Sequence, residues 1–224
     1  MVNIIIQHFT GDMGELEKAS VLNIGDYAAS IGAEYKLLYG QVFREDMTTP
    51  IQKMHMLSEE FDDYDDLVML DIDMFAPIGM TENVFDVDGI GLHENVQTDL
   101  HHRLVRTYPH LASLEYPYWG GAIYKLSRSD RQQLRSGYGK DNRWMYTYNR
   151  RYHWGDEGIM HTLACRSNFK PKSPYMNKKW CQCSFLPHPE NAGFIHIRTK
   201  ITPHGPKREK YENYVSLKEK GILE

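Results

Sequence analysis

The chain has 224 residues and a formal charge of −4, which is room for one sizeable domain and excludes the broad basic footprint of a nucleic-acid binder. No apolar run reaches the length of a membrane span. Three cysteines leave at least one thiol unpaired within a single chain, which predicts a reducing, cytoplasmic setting.

The opening MVNIIIQHFTGD lacks the basic n-region of a signal peptide, and residues 2–7 read instead as a first strand. Leu16, Ala19, Ile24, Ala28 and Ile31 approximate one face of a helix, with Gly32 as its stop. Residues 34–39 predict a second strand. The stretch TTPIQ predicts a helix start, with Thr49 as N-cap, Pro50 at the first helical position and Gln52 in the capping-box place. Ile51, Met54, Leu57 and Phe61 continue that helix on one face. Residues 67–70 are a third, buried strand. This alternation predicts an α/β sheet with right-handed crossovers.

Downstream, strands are expected over 89–92, 122–126 and 194–197, and helices from Ser127 and over 156–164. The charged end PKREKYENYVSLKEKGILE reads as a surface helix or a partly mobile tail. No repeat, low-complexity segment or linker divides the chain.

The stretch DDLVMLDIDMFAP carries the chemistry. Asp71 and Asp73 follow the apolar strand one residue apart, and in extended chain residues i and i+2 point to one side. Ionised carboxylates beside an apolar core need a partner. Two of them at a strand's carboxyl end, where α/β sheets bind ligands, suit a divalent cation or a pair of hydroxyl groups. Residues 8–12, after the first strand, reach the same edge.

With this layout, VMLDIDMF resembles the DxD motif of GT-A-fold glycosyltransferases, which carry an aspartate pair at a strand end after a nucleotide-binding α/β half. YWGGAIYKLSR resembles the glycine-containing strand entry that lines their donor-sugar pocket. HWGDEGIMHTL resembles the acidic motif that opens a late helix there, and GFIHIRTKITPHGPK the late histidine segment that supplies a third metal ligand. The likeness runs through almost the whole chain, each motif being loose, and the spacing of the last segment leaves His196 and His204 both open.

The resemblance implies a single Rossmann-like GT-A domain, with a mixed, mostly parallel central sheet flanked by helices. Residues 1–75 would be the nucleotide-binding half, 76–205 the donor-sugar and acceptor half, and 206–224 a charged tail. It implies a metal-dependent transferase moving a sugar from a nucleoside-diphosphate sugar, by preference a UDP-hexose, to a hydroxyl of a glycan or glycoconjugate. The ion is Mn²⁺ or Mg²⁺, oxygen ligands suiting both and an imidazole favouring Mn²⁺. Asp73 is then a direct metal ligand, and Asp71 holds ribose hydroxyls or a metal-bound water. His196 is preferred as the third ligand. Lys200 and Lys207 are candidates for the diphosphate, and His8, Phe9 and Thr10 for base or ribose.

Gly120 and Gly121 allow close backbone approach to a donor sugar, or a tight turn before a strand. Trp119 is a pocket wall or, more commonly, core. Asp156 and Glu157 begin a helix, where the dipole favours carboxylates. Their functional reading is a general base on the acceptor hydroxyl, implying inversion; in a retaining enzyme they would orient substrate. The aromatic and arginine-rich RWMYTYNRRYHW, residues 143–154, reads as a mobile acceptor-side loop, with strand stacking of nucleic acid or plain packing as alternatives.

Two side clusters and three other functions stand against this reading. Cys165, Cys181, Cys183 and His188 lack paired-knuckle zinc spacing, so free thiols are expected. His101, His102 and Arg103 read as exposed loop, with phosphate binding as the alternative. A haloacid-dehalogenase-like phosphatase also uses D-x-D, but typically in its first strand. A sugar nucleotidylyltransferase would need a glycine- and arginine-rich loop that HFTGDMGELEKAS does not supply. A noncatalytic nucleotide- or carbohydrate-binding module stays open.

Overall fold

A computed structural model describes residues 2–149, 155–202 and 205–224. Strands β1 (Asn3–Phe9), β2 (Glu34–Tyr39) and β3 (Asp66–Leu70) form where the sequence expects them. Ile4, Ile5 and Ile6 on β1 and residues 67–70 on β3 are all buried, the continuous apolar pattern of strands covered on both faces. Helix α1 (Glu15–Ser30) crosses from β1 to β2. It ends ahead of Gly32, whose φ of 70° is the left-handed conformation that closes a helix.

The central sheet has the order β2-β1-β3-β6-β5, with β5 at Gly91–Leu92 and β6 at Gly120–Ser127. The β1 pairings with β2 and β3 are parallel, whereas β6 runs antiparallel to β3 and to β5. It is a mixed α/β sheet, flanked by helices. Alternate residues divide the core. Ile4, Ile6, Leu67 and Met69 pack on one face with Met54, Leu134 and Leu163. Ile5, Val68 and Leu70 pack on the other with Ile24, Ala28 and Phe194.

A second, three-stranded sheet joins distant parts of the chain: β4 (Met74–Phe75), β8 (Ile195–His196) and β7 (Gln182–Cys183), in the order β4-β8-β7. Met74 pairs with His196 in antiparallel register, and the Ile197 amide donates to the Asp73 carbonyl at 2.9 Å. The tail forms helix α6 (Lys210–Glu219). Its Tyr214 and Leu217 pack with Leu16, Phe75, Ile195 and Ile197.

Two expectations are corrected. Residues Thr49–Leu57 form a 3-10 helix, and Thr48 takes the N-cap position without a side-chain bond. Ile51, Met54 and Leu57 recur every three residues, which is the 3-10 period. Gln52 makes no capping box. It is fully buried and its amide accepts from the Phe43 N–H at 2.8 Å and donates to the Arg44 and Met47 carbonyls at 2.7 and 3.0 Å. The second correction is helix α2 (Asn95–Thr107), where His101 to Arg103 read as loop. His101 is buried and stacks on Tyr118 with ring centroids 5.4 Å apart. A Glu94–Gln97 capping box opens this helix.

Ser127 starts helix α3 (Arg128–Ser136) as expected, in a capping box with Asp130. The first half of the aromatic segment is ordered packing: α4 (Tyr146–Asn149) follows a 3-10 turn at Arg143–Met145, and Met145 and Tyr148 are fully buried. Residues 150–154 of that segment lie outside the described residues. Helix α5 (Gly155–Arg166) begins just ahead of the two acids. Among the described residues no helix is long and apolar enough to cross a membrane.

Candidate active site

A cleft of about 660 Å³ opens at the carboxyl ends of β1 and β3. His8 and Phe9 line it from β1, Asp71 and Asp73 from the end of β3, Gly120 and Gly121 from β6, Asp156 and Glu157 from α5, and His196 from β8. Val96, Gln97 and Leu100 of α2 form a further wall.

Asp71 is fixed at its backbone before its side chain is used. Gln7 Nε2 donates to its carbonyl at 3.0 Å, and its own amide donates to Ala122 O at 2.9 Å. Its carboxylate meets Lys53 Nζ at 2.8 Å. The same ammonium lies 2.5 Å from Asp156 Oδ2 and donates to the Gly121 carbonyl at 2.7 Å. Burial alone would depress the Lys53 ammonium, but Asp156 and Asp71 outweigh it and hold it above the ordinary range. Burial pushes the Asp156 carboxyl up, against the pull of Lys53. Gly121 is small by necessity, since a Cβ there would lie 2.2 Å from Asp156 Oδ2.

Asp73 is nearly buried, and its two oxygens face an imidazole and an ammonium. Oδ1 lies 3.2 Å from His196 Nε2, and Oδ2 accepts from Lys210 Nζ of α6. Burial would raise this carboxyl, but His196 and Lys210 outweigh it and hold it well below the usual range. One ligand atom each from Asp71, Asp73 and His196 can be chosen so that all three lie within 4.8 Å of one another. No other group of three such side chains does so among the described residues. His204 lies outside those residues.

Glu157 is locked. Tyr118 OH donates to Oε2 at 2.8 Å and the Gly121 amide to Oε1 at 3.0 Å. Burial, with Asp156 beside it, pushes its carboxyl up to about 7. The Gly121 amide is therefore spent on Glu157 rather than aimed at a ligand. Gly120 packs against Gln97, where a Cβ would meet Nε2 at 2.8 Å.

Burial holds the His8 imidazole below its ordinary pKa, and its Nε2–H donates to Gly40 O at 2.8 Å. Thr10 Oγ1 donates to the same carbonyl at 3.2 Å. Lys200 and Lys207 are exposed, pair with each other through backbone, and do not line the cleft. Trp119 is core, its Nε1 donating to Pro174 O at 2.7 Å. The cysteines are free thiols, with Cys181 Sγ 3.7 Å from His196 Nδ1 and His188 exposed beside Glu190.

Sequence reasoning missed Lys53, Lys210 and Tyr118. Lys53 carried a weak signal, a charge inside a helix whose neighbours Ile51, Gln52 and Met54 are all fully buried. Lys210 lies in a charge-rich tail with no local mark. Helix α2 did carry a signal: Val96, Leu100 and Leu104 recur every four residues.

No family model matches the chain, and no curated protein matches it by sequence. Solved structures do. A glycosyltransferase involved in the glycosylation of the major capsid of PBCV-1 aligns over 98% of this chain and 100% of its own, at 9% identity and a TM-score of 0.56. The galactosyltransferase LgtC, solved with donor and acceptor sugar analogues, aligns over 95% of this chain and 94% of its own, at 11% identity and a TM-score of 0.53. Mouse xyloside xylosyltransferase 1 aligns over 88% and 98%, at 10% identity and a TM-score of 0.50. At such identities the likeness is one of fold: this chain has the GT-A fold of glycosyltransferases.

Proposed function

We propose that the protein transfers a sugar from a nucleoside-diphosphate sugar, by preference a UDP-hexose, to a hydroxyl of a glycan or glycoconjugate. The observation that carries this reading is the convergence of Asp71, Asp73 and His196 within 4.8 Å, at the strand-end cleft of a GT-A fold. The donor chemistry fits Mn²⁺ or Mg²⁺, two carboxylates with one imidazole. The ammonium already seated on Asp73 Oδ2 marks the place as one that takes positive charge. A bound cation would supply charge stabilisation to the departing diphosphate.

The chain's own residues would do the rest. Asp71 and Lys53 would fix the floor of the cleft, with His8, Phe9 and Thr10 beside the base and ribose. Asp156 would face the donor sugar against the Gly120–Gly121 backbone. Glu157, anchored by Tyr118, would orient the acceptor side or take its proton. Lys200 and Lys207, joined by an isolated backbone bridge outside the cleft lining, would have to move toward the cleft to reach the diphosphate. The phosphatase reading gains no support, because Asp71 ends the third strand of the chain and is paired to an ammonium.

The test is calorimetric titration of UDP with and without Mn²⁺, on wild type and Asp73→Ala. Mn²⁺-dependent binding that the variant loses is the expected result. Absence of nucleotide binding under every condition overturns the reading. Mn²⁺-dependent binding without turnover on any donor sugar would leave a noncatalytic binding module.

A further inference from the structure

The two acids of the D-x-D stretch are each neutralised by a lysine, and the lysines are not alike. Lys53 is nearly buried, with a side chain 9% exposed, and has three partners: hydrogen bonds to Asp71 and the Gly121 carbonyl and an ion pair with Asp156. It has nowhere to go. Lys210 has one carboxylate partner, Asp73, and its side chain is 41% exposed. It sits at the first turn of α6, on a flexible four-carbon stem.

The body of α6 is anchored independently of that contact. Tyr214 stacks on Phe75 at 5.0 Å, and Asn213 Nδ2 donates to the Arg198 carbonyl at 2.5 Å. The Lys210 side chain can therefore swing into solvent without moving the helix. Its ammonium lies on the Asp73 oxygen that His196 leaves free. A divalent cation held by Asp71, Asp73 and His196 would need that oxygen's charge, and two cations cannot share a small, desolvated seat without strong repulsion.

We propose that Lys210 is a tethered counter-cation, which occupies Asp73 in the metal-free protein and must leave it for a divalent cation to bind. This rests on the cation of the proposed function. Metal affinity is then set by competition with a residue of the chain, and cation arrival releases an ammonium at the mouth of the cleft.

The experiment titrates Mn²⁺ alone into wild type, Lys210→Met and Asp73→Ala by calorimetry. Methionine keeps the stem's packing and removes the charge. Were the ammonium to fill the seat about nine-tenths of the time, Lys210→Met would bind Mn²⁺ about tenfold more tightly than wild type. Binding by Lys210→Met that equals or falls below wild type overturns the proposal.

A second measurement needs no substitution. Amine labelling of the wild type, read by mass spectrometry, should rise at Lys210 when Mn²⁺ is added, while Lys53 stays protected. Lys210 labelling indifferent to Mn²⁺ also overturns it. UDP titrations on the same proteins keep the two readings separate. Nucleotide binding with no Lys210 effect sinks the competition alone, and a Lys210 effect with no nucleotide binding sinks the transferase alone.

Discussion

Lys53 and Asp156 meet at 2.5 Å between a 3-10 helix and the first turn of α5. The pair ties the helix that covers the sheet to the helix that carries the two acids. Removing the ammonium would leave Asp71 and the nearly buried Asp156 facing each other without a counter-charge. Lys53→Met should therefore destabilise the fold by about 3–5 kcal/mol, the usual consequence of orphaning a buried charge. Adding Asp156→Asn should recover part of that loss. Urea denaturation of both single variants and the double variant checks this, and strict additivity would refute the coupling.

Glu157 gives stability a pH dependence of known sign. Its folded pKa is about 7 against an ordinary 4.5, so between those values the folded state holds a proton that the unfolded state has lost. Stability contributed by this group therefore falls as pH rises through that window. Asp73 acts oppositely and elsewhere: its depressed carboxyl loses stability only as pH falls below its ordinary 3.8. Glu157→Gln should remove the upper slope. Denaturation midpoints at pH 5 and pH 8 compare the two proteins, and an unchanged difference would rule out Glu157 as its source.

Gly121→Ala should separate folding from function. The new methyl would collide with Asp156 Oδ2 at 2.2 Å, and the carboxylate must turn away from Lys53 or the strand must shift. On the proposed reading, sugar transfer should drop by about 100-fold, the scale reached when reacting groups are misplaced by an ångström. Circular dichroism should be near wild type. Activity retained within a few-fold would show that Asp156 works from another position.

Gln52→Leu tests the correction to the 49–57 segment. The glutamine amide satisfies the Phe43 amide and the Arg44 and Met47 carbonyls from a fully buried position. Leucine fills the volume and orphans those groups, at a cost of about 3 kcal/mol. A thermal melt reads it. A capping role would instead give about 1 kcal/mol, and that smaller loss would contradict the observed bonding.

The sheet was legible because β1 and β3 contain short apolar runs and strong helix and turn signals divide the strands. The aspartate pair was legible because acids directly after a buried run are costly to leave unpartnered. Asp156 and Glu157 showed themselves at a helix start. What stayed hidden was pairing over distance. Nothing near Lys53 names Asp156, and nothing near Lys210 names Asp73, 137 positions away. Helix α2 was missed because its apolar stripe is one residue wide and its cap uses Glu94 instead of serine or threonine. The 3-10 helix was misread because Pro50 suits the first turn of either helix type.

The short β4–β8 pairing has a consequence for synthesis of the chain. Asp71 and Asp73 leave the ribosome early, together with the strands they terminate. The imidazole that completes their cluster, and the ammonium that neutralises Asp73, reside on β8 and α6, far downstream of β3. A nascent chain that stops before β8 can pair Asp71 with Lys53, but it leaves Asp73 with neither its imidazole nor its ammonium. The three-residue cluster can close only once β8 has been made, so the order of translation sets the earliest moment at which it can gather ligands.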